Sequence, residues 1–148
     1  MKKLLFVALF SIISAVASAQ IVAPVKWSYA AKRISKTDAV VFIKATIDKG
    51  WHVYSQTVGE GGPVPTSFSF SPSKEYTLVG KTSEPKPVSK YDKTFSMNVA
   101  YFESSVIFQQ KVKLKAAQTV VKGKLEYMAC NDQKCLPPDE VNFSVAVK

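Results

Sequence analysis

Hydrophobic and polar residues alternate along most of the chain after Val25, with turn residues between short runs. An alternation with a period of two is typical of β-strands that bury one face. No stretch of helical periodicity is longer than two turns, so the pattern argues against a helical domain. The longest alternating runs cover residues 39–48, 106–114, 121–127 and 141–148.

Shorter segments add further strands to this pattern. Residues 51–54, 68–70 and 76–78 each predict a short strand beside a turn. In the long run 106–114, Gln110 occupies the same face as the apolar residues around it. Trp51 and Tyr54 are large aromatic residues that we expect to lie in the core.

Three segments lack a strand pattern. Residues 58–65 hold three glycines and two prolines, which predicts a shaped loop that forms either a structural turn or the wall of a site. Residues 81–90 are polar and carry two prolines, so we expect an exposed connection there. Residues 91–101 contain aromatic residues without a clean period, and their structure stays open at this point.

The number and length of these runs predict the fold class. Roughly seven to nine short antiparallel strands are typical of an all-β domain of the two-sheet β-sandwich type. A chain of this size buries a core without needing a disulfide. Both cysteines fall within one hairpin, whereas a conventional immunoglobulin domain joins strands that are far apart in sequence.

The N-terminus has the features of a secretory signal peptide. Lys2 and Lys3 precede an apolar run from 4 to 16, and the small residues 17–19 form a cleavage signature. The run is shorter than the roughly 20 residues of a membrane span. We therefore expect residues 1–19 to be removed and residues 20–148 to form one exported domain without a membrane anchor.

The chain is basic, with a formal net charge of +9. Loss of Lys2 and Lys3 lowers this to +7. Most lysines alternate with apolar residues along predicted strands, as in residues 111–115, which indicates a solvated basic surface. No basic cluster is interleaved with aromatic residues in a recognisable module, so nucleic acid is not an expected partner.

Cys130 and Cys135 are the only cysteines, and a predicted hairpin holds both. In an exported protein such a pair is expected to form a disulfide. A loop of about six residues stabilises the fold by only about 2 kcal/mol, which makes the pair a weak structural link. Short, exposed disulfides are also open to thiol attack. An inert link and a redox pair both remain open from the residues alone.

Metal binding and hydrolytic chemistry are less favoured interpretations. A structural zinc needs four ligands, and the exported chain offers two cysteines and His52. Copper would have to use the cysteines with Met97 or Met128, without any methionine-rich or histidine-rich tract. His52 is better explained as a strand residue with a local hydrogen-bond partner than as a catalytic base, because no serine motif accompanies it.

Several motifs resemble the N-terminal periplasmic domain of the thiol:disulfide interchange protein DsbD. The most specific is Tyr127-Met128-Ala129-Cys130, a four-residue insert, and Cys135-Leu136-Pro137-Pro138. Further similarity lies in residues 50–55, 61–66 and 91–95. The resemblance covers nearly all of the chain after residue 19.

The resemblance implies an immunoglobulin-like antiparallel β-sandwich whose cysteine pair cycles between dithiol and disulfide. Cys135 would form the mixed disulfide with a partner, and Cys130 would resolve it. Residues 91–95 match the family's cap loop, which implies a site formed by Tyr91, Asp92, Phe95 and Tyr54 beside the pair. We choose Phe95 as the aromatic residue that covers the cysteines until a partner displaces it.

The expected function is therefore periplasmic thiol–disulfide exchange of the protein-disulfide reductase type, without a metal or organic cofactor. Expected partners are thioredoxin-like domains and periplasmic disulfide isomerases or reductases, with the domain itself a monomer. Because the sequence ends at Lys148, we expect a separate membrane protein to supply electrons. The alternative is an immunoglobulin-like adaptor that binds proteins and carries an inert disulfide.

Overall fold

The computed structural model describes residues 22–148, so the predicted signal peptide at 1–19 lies outside the described residues. This range is an all-β structure, and none of its residues forms a helix long and apolar enough to span a membrane. Its eleven strands are β1 (Val25–Arg33), β2 (Asp38–Ile47), β3 (His52–Tyr54), β4 (Ser67–Phe70), β5 (Tyr76–Ser83), β6 (Val88–Asp92), β7 (Met97–Glu103), β8 (Ser105–Leu114), β9 (Thr119–Tyr127), β10 (Ala129–Cys130) and β11 (Asp139–Val147).

The strands of residues 22–148 pair in three antiparallel sheets. The first has the order β1-β2-β8-β5, the second β10-β3-β7-β6 and the third β11-β9-β4. The sheets enclose one main core, to which all three contribute side chains. The predicted all-β antiparallel fold is confirmed, although the strands form three hydrogen-bonded sheets instead of two.

Alternation along the long strands builds the main core. In β8 every second residue is buried, and the ring of Phe108 is fully enclosed. Its ring centroid lies 4.9 Å from Phe68, 5.9 Å from Phe102 and 6.2 Å from Trp27. Four aromatic rings from different strands therefore meet at one point and hold the sheets together.

The prediction of one exposed connection over residues 81–90 is wrong. Residues 81–83 belong to β5 and residues 88–90 to β6, so only residues 84–87 connect the two strands. Both strands lie at an edge of their sheet and are largely exposed. With little burial on either face, such strands carry no alternation that a sequence pattern can detect.

A bulge in β5 explains why a polar residue occupies the apolar face of β8. Residues 80–82 lie opposite the single residue Gln110, and Gly80 has a φ of 68°, which an L side chain rarely adopts. The buried Gln110 amide donates to the carbonyl oxygen of Gly80 at 3.3 Å and accepts from Thr82 Oγ1 at 2.8 Å. The glutamine thus satisfies the polar groups that the bulge leaves unpaired.

Candidate functional site

Cys130 and Cys135 form a disulfide across the hairpin that follows β10. The two residues are partners in an antiparallel bridge, and Leu136 N donates to the carbonyl oxygen of Ala129 at 2.9 Å. Backbone pairing and the disulfide together hold the two cysteines side by side.

The four residues between the cysteines form a turn with its own hydrogen bonds. Asn131 Oδ1 accepts from the backbone N–H of Gln133 at 2.9 Å and of Lys134 at 2.8 Å. The N–H of Asn131 donates to the carbonyl oxygen of Lys134 at 2.9 Å. Side-chain capping by asparagine is a common way to fix a short turn. The short insert predicted from the sequence is thus a closed, self-supported turn.

The two cysteines differ in burial. Cys130 is 2% exposed and belongs to a second hydrophobic cluster, separate from the main core, with Tyr54, Val99 and Tyr101. Cys135 is half-buried and packs against this cluster from outside. Cys135 is therefore more accessible from solution than Cys130.

Tyr54 is fully buried in the same cluster as Cys130. Its ring stands edge-on to His52 with centroids 5.2 Å apart, and its Oη lies 3.1 Å from His52 Nε2. The prediction that His52 has a local hydrogen-bond partner is therefore confirmed. Trp51 is half-buried and packs against the main core.

The residues of the predicted cap loop form the hairpin between β6 and β7. Asp92 Oδ1 accepts from Thr94 N at 2.7 Å and from Phe95 N at 3.4 Å, and Ser96 follows with a φ of 54°. Asp92 therefore shapes the turn. Segment 91–101, which the sequence left open, contains the end of β6, this turn and most of β7.

Two aromatic residues of this hairpin take different positions. Phe95 is half-buried, packs against the second hydrophobic cluster, and lies edge-on to Tyr54 with centroids 6.2 Å apart. Tyr91 is 57% exposed and lines a pocket of about 250 Å³ that His52, Asp92 and Asn131 also line. The geometry brings Phe95 against the cysteine cluster and leaves Tyr91 at its rim.

The glycine-rich loop closes the other side of the cluster. Val58 packs against the cluster, and a Cβ on Gly59 would lie 2.6 Å from Met97 Cε. A side chain at this position would push Met97 out of place. Residues 58–62 thus pack against the cysteine cluster, which is compatible with both interpretations that the sequence allows.

Glu84 anchors the chain where it leaves β3 toward that loop. Its carboxylate accepts from Ser55 Oγ, from the N–H of Gln56 at 3.0 Å, and from Gln56 Nε2 at 3.4 Å. No sequence pattern indicates this contact, because Glu84 lies 28 or more positions from its partners.

Burial and nearby charges shift the pKa values of His52 and Tyr54. Burial lowers the pKa of His52, although the carboxylates of Asp92, Glu103 and Asp132 oppose this shift. Burial also raises the pKa of Tyr54 strongly, and Asp92 adds to the effect. Both side chains are therefore neutral at neutral pH.

In the part of the chain that the structure describes, no three His, Cys, Asp or Glu side chains are grouped to hold a metal ion.

The site also contains residues that the sequence did not point to, namely Val99, Tyr101 and Glu103. Val99 and Tyr101 alternate along β7, but the short exposed strand before them hides that period.

A comparison with known protein families identifies one family. The model of the family described as thiol:disulfide interchange protein DsbD, N-terminal, matches residues 18–146. No curated protein sequence matches the chain.

Solved structures of similar fold include N-terminal domains from two bacteria. The reduced DsbD N-terminal domain of Neisseria meningitidis is 18% identical, with a TM-score of 0.52 over 80% of this chain and 84% of that one. The same domain in complex with the PilB N-terminal domain gives 18% identity and a TM-score of 0.55 over 84% and 87%.

The N-terminal periplasmic domain of ScsB from Proteus mirabilis is also 18% identical, with a TM-score of 0.56, and the match covers 83% of this chain but only 44% of that one. These matches confirm the immunoglobulin-like fold.

Proposed function

Since the chain belongs to the family of DsbD N-terminal domains, we propose that it passes reducing equivalents to partner oxidoreductases through Cys130 and Cys135. Thiol–disulfide exchange with a protein partner is the function that the family and the bonded cysteine pair support. The observation that carries the proposal is the pair itself, held on a self-supported turn with one sulfur buried and one half-exposed.

The unequal burial supports separate roles for the two sulfurs. In the reduced domain the Cys135 thiolate attacks the partner disulfide, forms a mixed disulfide and releases one partner thiolate. The Cys130 thiolate then attacks Cys135 Sγ and releases the second. The partner gains two electrons, and the domain ends with the Cys130–Cys135 bond.

The cap hairpin acts as a cover in this proposal. Phe95 packs against the cluster that contains Cys130, and the Asp92 carboxylate holds the turn that carries it. Tyr54 supplies the surface on which Phe95 rests. Displacement of Phe95 by a partner opens the approach to Cys135, while Tyr91 lies at the rim where a partner would dock.

The partner is a thioredoxin-like domain of a periplasmic oxidoreductase. This extends to the present chain what is known of its relative, since the DsbD N-terminal domain from Neisseria forms a complex with the PilB N-terminal domain. The domain acts in the periplasm, where its family works, and a membrane protein supplies its electrons.

Trapping experiments test this function directly. The reduced Cys130→Ala variant should accumulate mixed disulfides with periplasmic proteins through Cys135, because the resolving sulfur is missing. The matched Cys135→Ala variant keeps one cysteine but should trap far less, since Cys130 is buried. Equal trapping by the two variants, or none by either, would contradict the proposed roles.

The reduction potential separates exchange from the adaptor function with an inert disulfide. We expect a value near those of thioredoxin-like carriers. A value well below about −300 mV would identify a structural disulfide instead. Equilibration of the purified domain with glutathione and dithiothreitol buffers gives this measurement.

A further inference from the structure

His52 lies between a cysteine and a carboxylate in a row across three strands. In the register of the sheet, Cys130 of β10 pairs with His52 of β3, and His52 pairs with Glu103 of β7. Directly opposed residues of antiparallel strands project to the same face, with Cβ atoms about 4.5–5.5 Å apart. The chain has no other histidine. Its one imidazole therefore lies on the face that carries Cys130.

The burial of Cys130 creates a chemical problem for the exchange reaction. The resolving step needs a Cys130 thiolate, because thiols are poor nucleophiles. A thiol surrounded by apolar groups loses its proton less readily than one in water. Cys130 is 2% exposed among Tyr54, Val99 and Tyr101. A proton acceptor inside the site would solve this problem.

The imidazole of His52 is held in place. Its Nε2 lies 3.1 Å from Tyr54 Oη, and its ring centroid lies 4.9 Å from that of Tyr101. When Nε2–H donates to the tyrosine oxygen, Nδ1 carries the free lone pair. Tyr54 thus orients the ring in the way that the third member of a catalytic triad orients its histidine.

We propose that His52 accepts the proton of the Cys130 thiol during the resolving step, an inference that rests on the exchange function proposed above. Nδ1 takes the proton from Cys130 Sγ, and the thiolate attacks Cys135 Sγ. The bond between Cys135 and the partner breaks, and its electron pair leaves on the partner sulfur. The imidazolium then returns its proton to that sulfur or to solvent.

Burial favours the neutral imidazole of His52, and the nearby carboxylates favour the protonated one. Burial lowers the pKa of His52, so the ring is neutral and able to accept a proton at neutral pH. Asp92 of the cap hairpin, Glu103 of β7 and Asp132 of the cysteine turn favour the imidazolium once it forms, and Lys90 of β6 opposes it. These carboxylates offset part of the cost that burial imposes on the imidazolium, although burial remains the larger effect on the pKa of His52.

Rapid mixing of the reduced domain with dithionitrobenzoate tests the proposal. This small aromatic disulfide releases one coloured thiolate when Cys135 attacks it and a second when Cys130 resolves the mixed disulfide. General acid–base catalysis contributes about a hundredfold or more, so His52→Gln should slow the second release at least tenfold and leave the first within about twofold. An unchanged second release would overturn the proposal.

The pH profile separates a proton acceptor from a structural residue. In the unaltered domain the rate of the second release should fall as pH drops through the pKa of His52, below the ordinary value of 6.5. His52→Gln should remove that inflection. A structural role would slow the reaction at every pH and leave the inflection, which would overturn the proposal.

Tyr54→Phe supplies a finer test because it removes only the oxygen that orients the ring. We expect an intermediate loss in the second release, with the inflection retained. If His52→Gln does not fold, as judged by thermal melting, the profile of the unaltered domain decides, and a profile without the inflection overturns the proposal.

The small disulfide reports on Cys130 without a protein partner, so failures of the two proposals are distinguishable. An empty partner trap combined with a His52-dependent second release would count against the proposed function. A filled trap combined with a His52-independent release would overturn the proton-acceptor role alone.

Discussion

The main core and the cysteine cluster of this domain are built by opposite means. Around the main core, β2 and β8 each run for ten residues, with alternate side chains buried. The cysteine cluster takes Tyr54 from the three-residue β3, Cys130 from the two-residue β10, and Val99 and Tyr101 from β7, and loop residues pack against it. The main core therefore has long ladders of backbone hydrogen bonds, whereas the cysteine cluster depends more on contacts with loops.

Neighbouring residues of the short strands β3 and β10 face the main core and the cysteine cluster in turn, which connects these two regions. Val53 and Ala129 belong to the main core, whereas the next residues, Tyr54 and Cys130, belong to the cysteine cluster. The rigid core therefore fixes the backbone of the reactive residue, while the groups that cover it belong to segments that open more easily. Exchange chemistry needs both properties, because a partner must reach a sulfur that is nevertheless held in position.

The largest expected effect is on the main core. Phe108→Ala should lower the free energy of unfolding by about 3–5 kcal/mol, because it empties the point where three other rings meet. Urea denaturation measures the loss. Ile107→Ala on the same strand is the control, since Ile107 is exposed, and its cost should stay below about 1 kcal/mol. Equal losses would mean that the core is not organised around Phe108.

Replacing a buried polar residue of the same core should lower the free energy of unfolding by less. Gln110→Ala leaves Thr82 Oγ1 and the carbonyl oxygen of Gly80 without their buried partner, so we expect a loss of about 1–3 kcal/mol. Gln109→Ala, one position earlier and exposed, should be nearly neutral. If Gln110→Ala did not change the stability of the domain, water would have to replace the side-chain amide in the bulge. Thermal melting of both variants makes the comparison.

Reduction of the disulfide should weaken the cysteine end only modestly. The closed loop is short, so the reduced domain should be less stable than the oxidised one by about 2 kcal/mol. The comparison uses urea denaturation with and without a reductant. The double variant Cys130→Ala with Cys135→Ala should not respond to the reductant at all. A loss as large as that of Phe108→Ala would place the disulfide among the main supports of the fold.

The smallest stability effect should come with a large change in reactivity. Phe95→Ala removes a half-buried ring, which should cost about 1 kcal/mol, but it uncovers the cluster around Cys130. Alkylation of the reduced cysteines by iodoacetamide should become severalfold faster. Thr94→Ala alters an exposed side chain of the same hairpin and serves as the control. An unchanged alkylation rate would remove Phe95 from the role of cover.

The sequence predicts the strands of the main core more completely than the exposed edge strands and the residues around the cysteines. The run 106–114 was recognised in full, because burial on one face imposes the alternation that a strand pattern detects. Only the start of β5, residues 76–78, is predicted, and β6 is missed, because edge strands exposed on both faces impose no such alternation. The cysteines and Tyr54 were found through motifs, whereas Glu103 was missed because only the register of β7 against β3 brings it opposite His52.

The bulge of β5 has a further consequence for how copies of this domain behave toward each other. β5 is an edge strand, and a regular edge offers its free N–H and C=O groups to a strand of another chain. Residues 80–82 interrupt the ladder, and Gln110 draws the carbonyl oxygen of Gly80 inward. The bulge therefore makes this edge irregular, and an irregular edge is less suited to pairing with a strand of another copy.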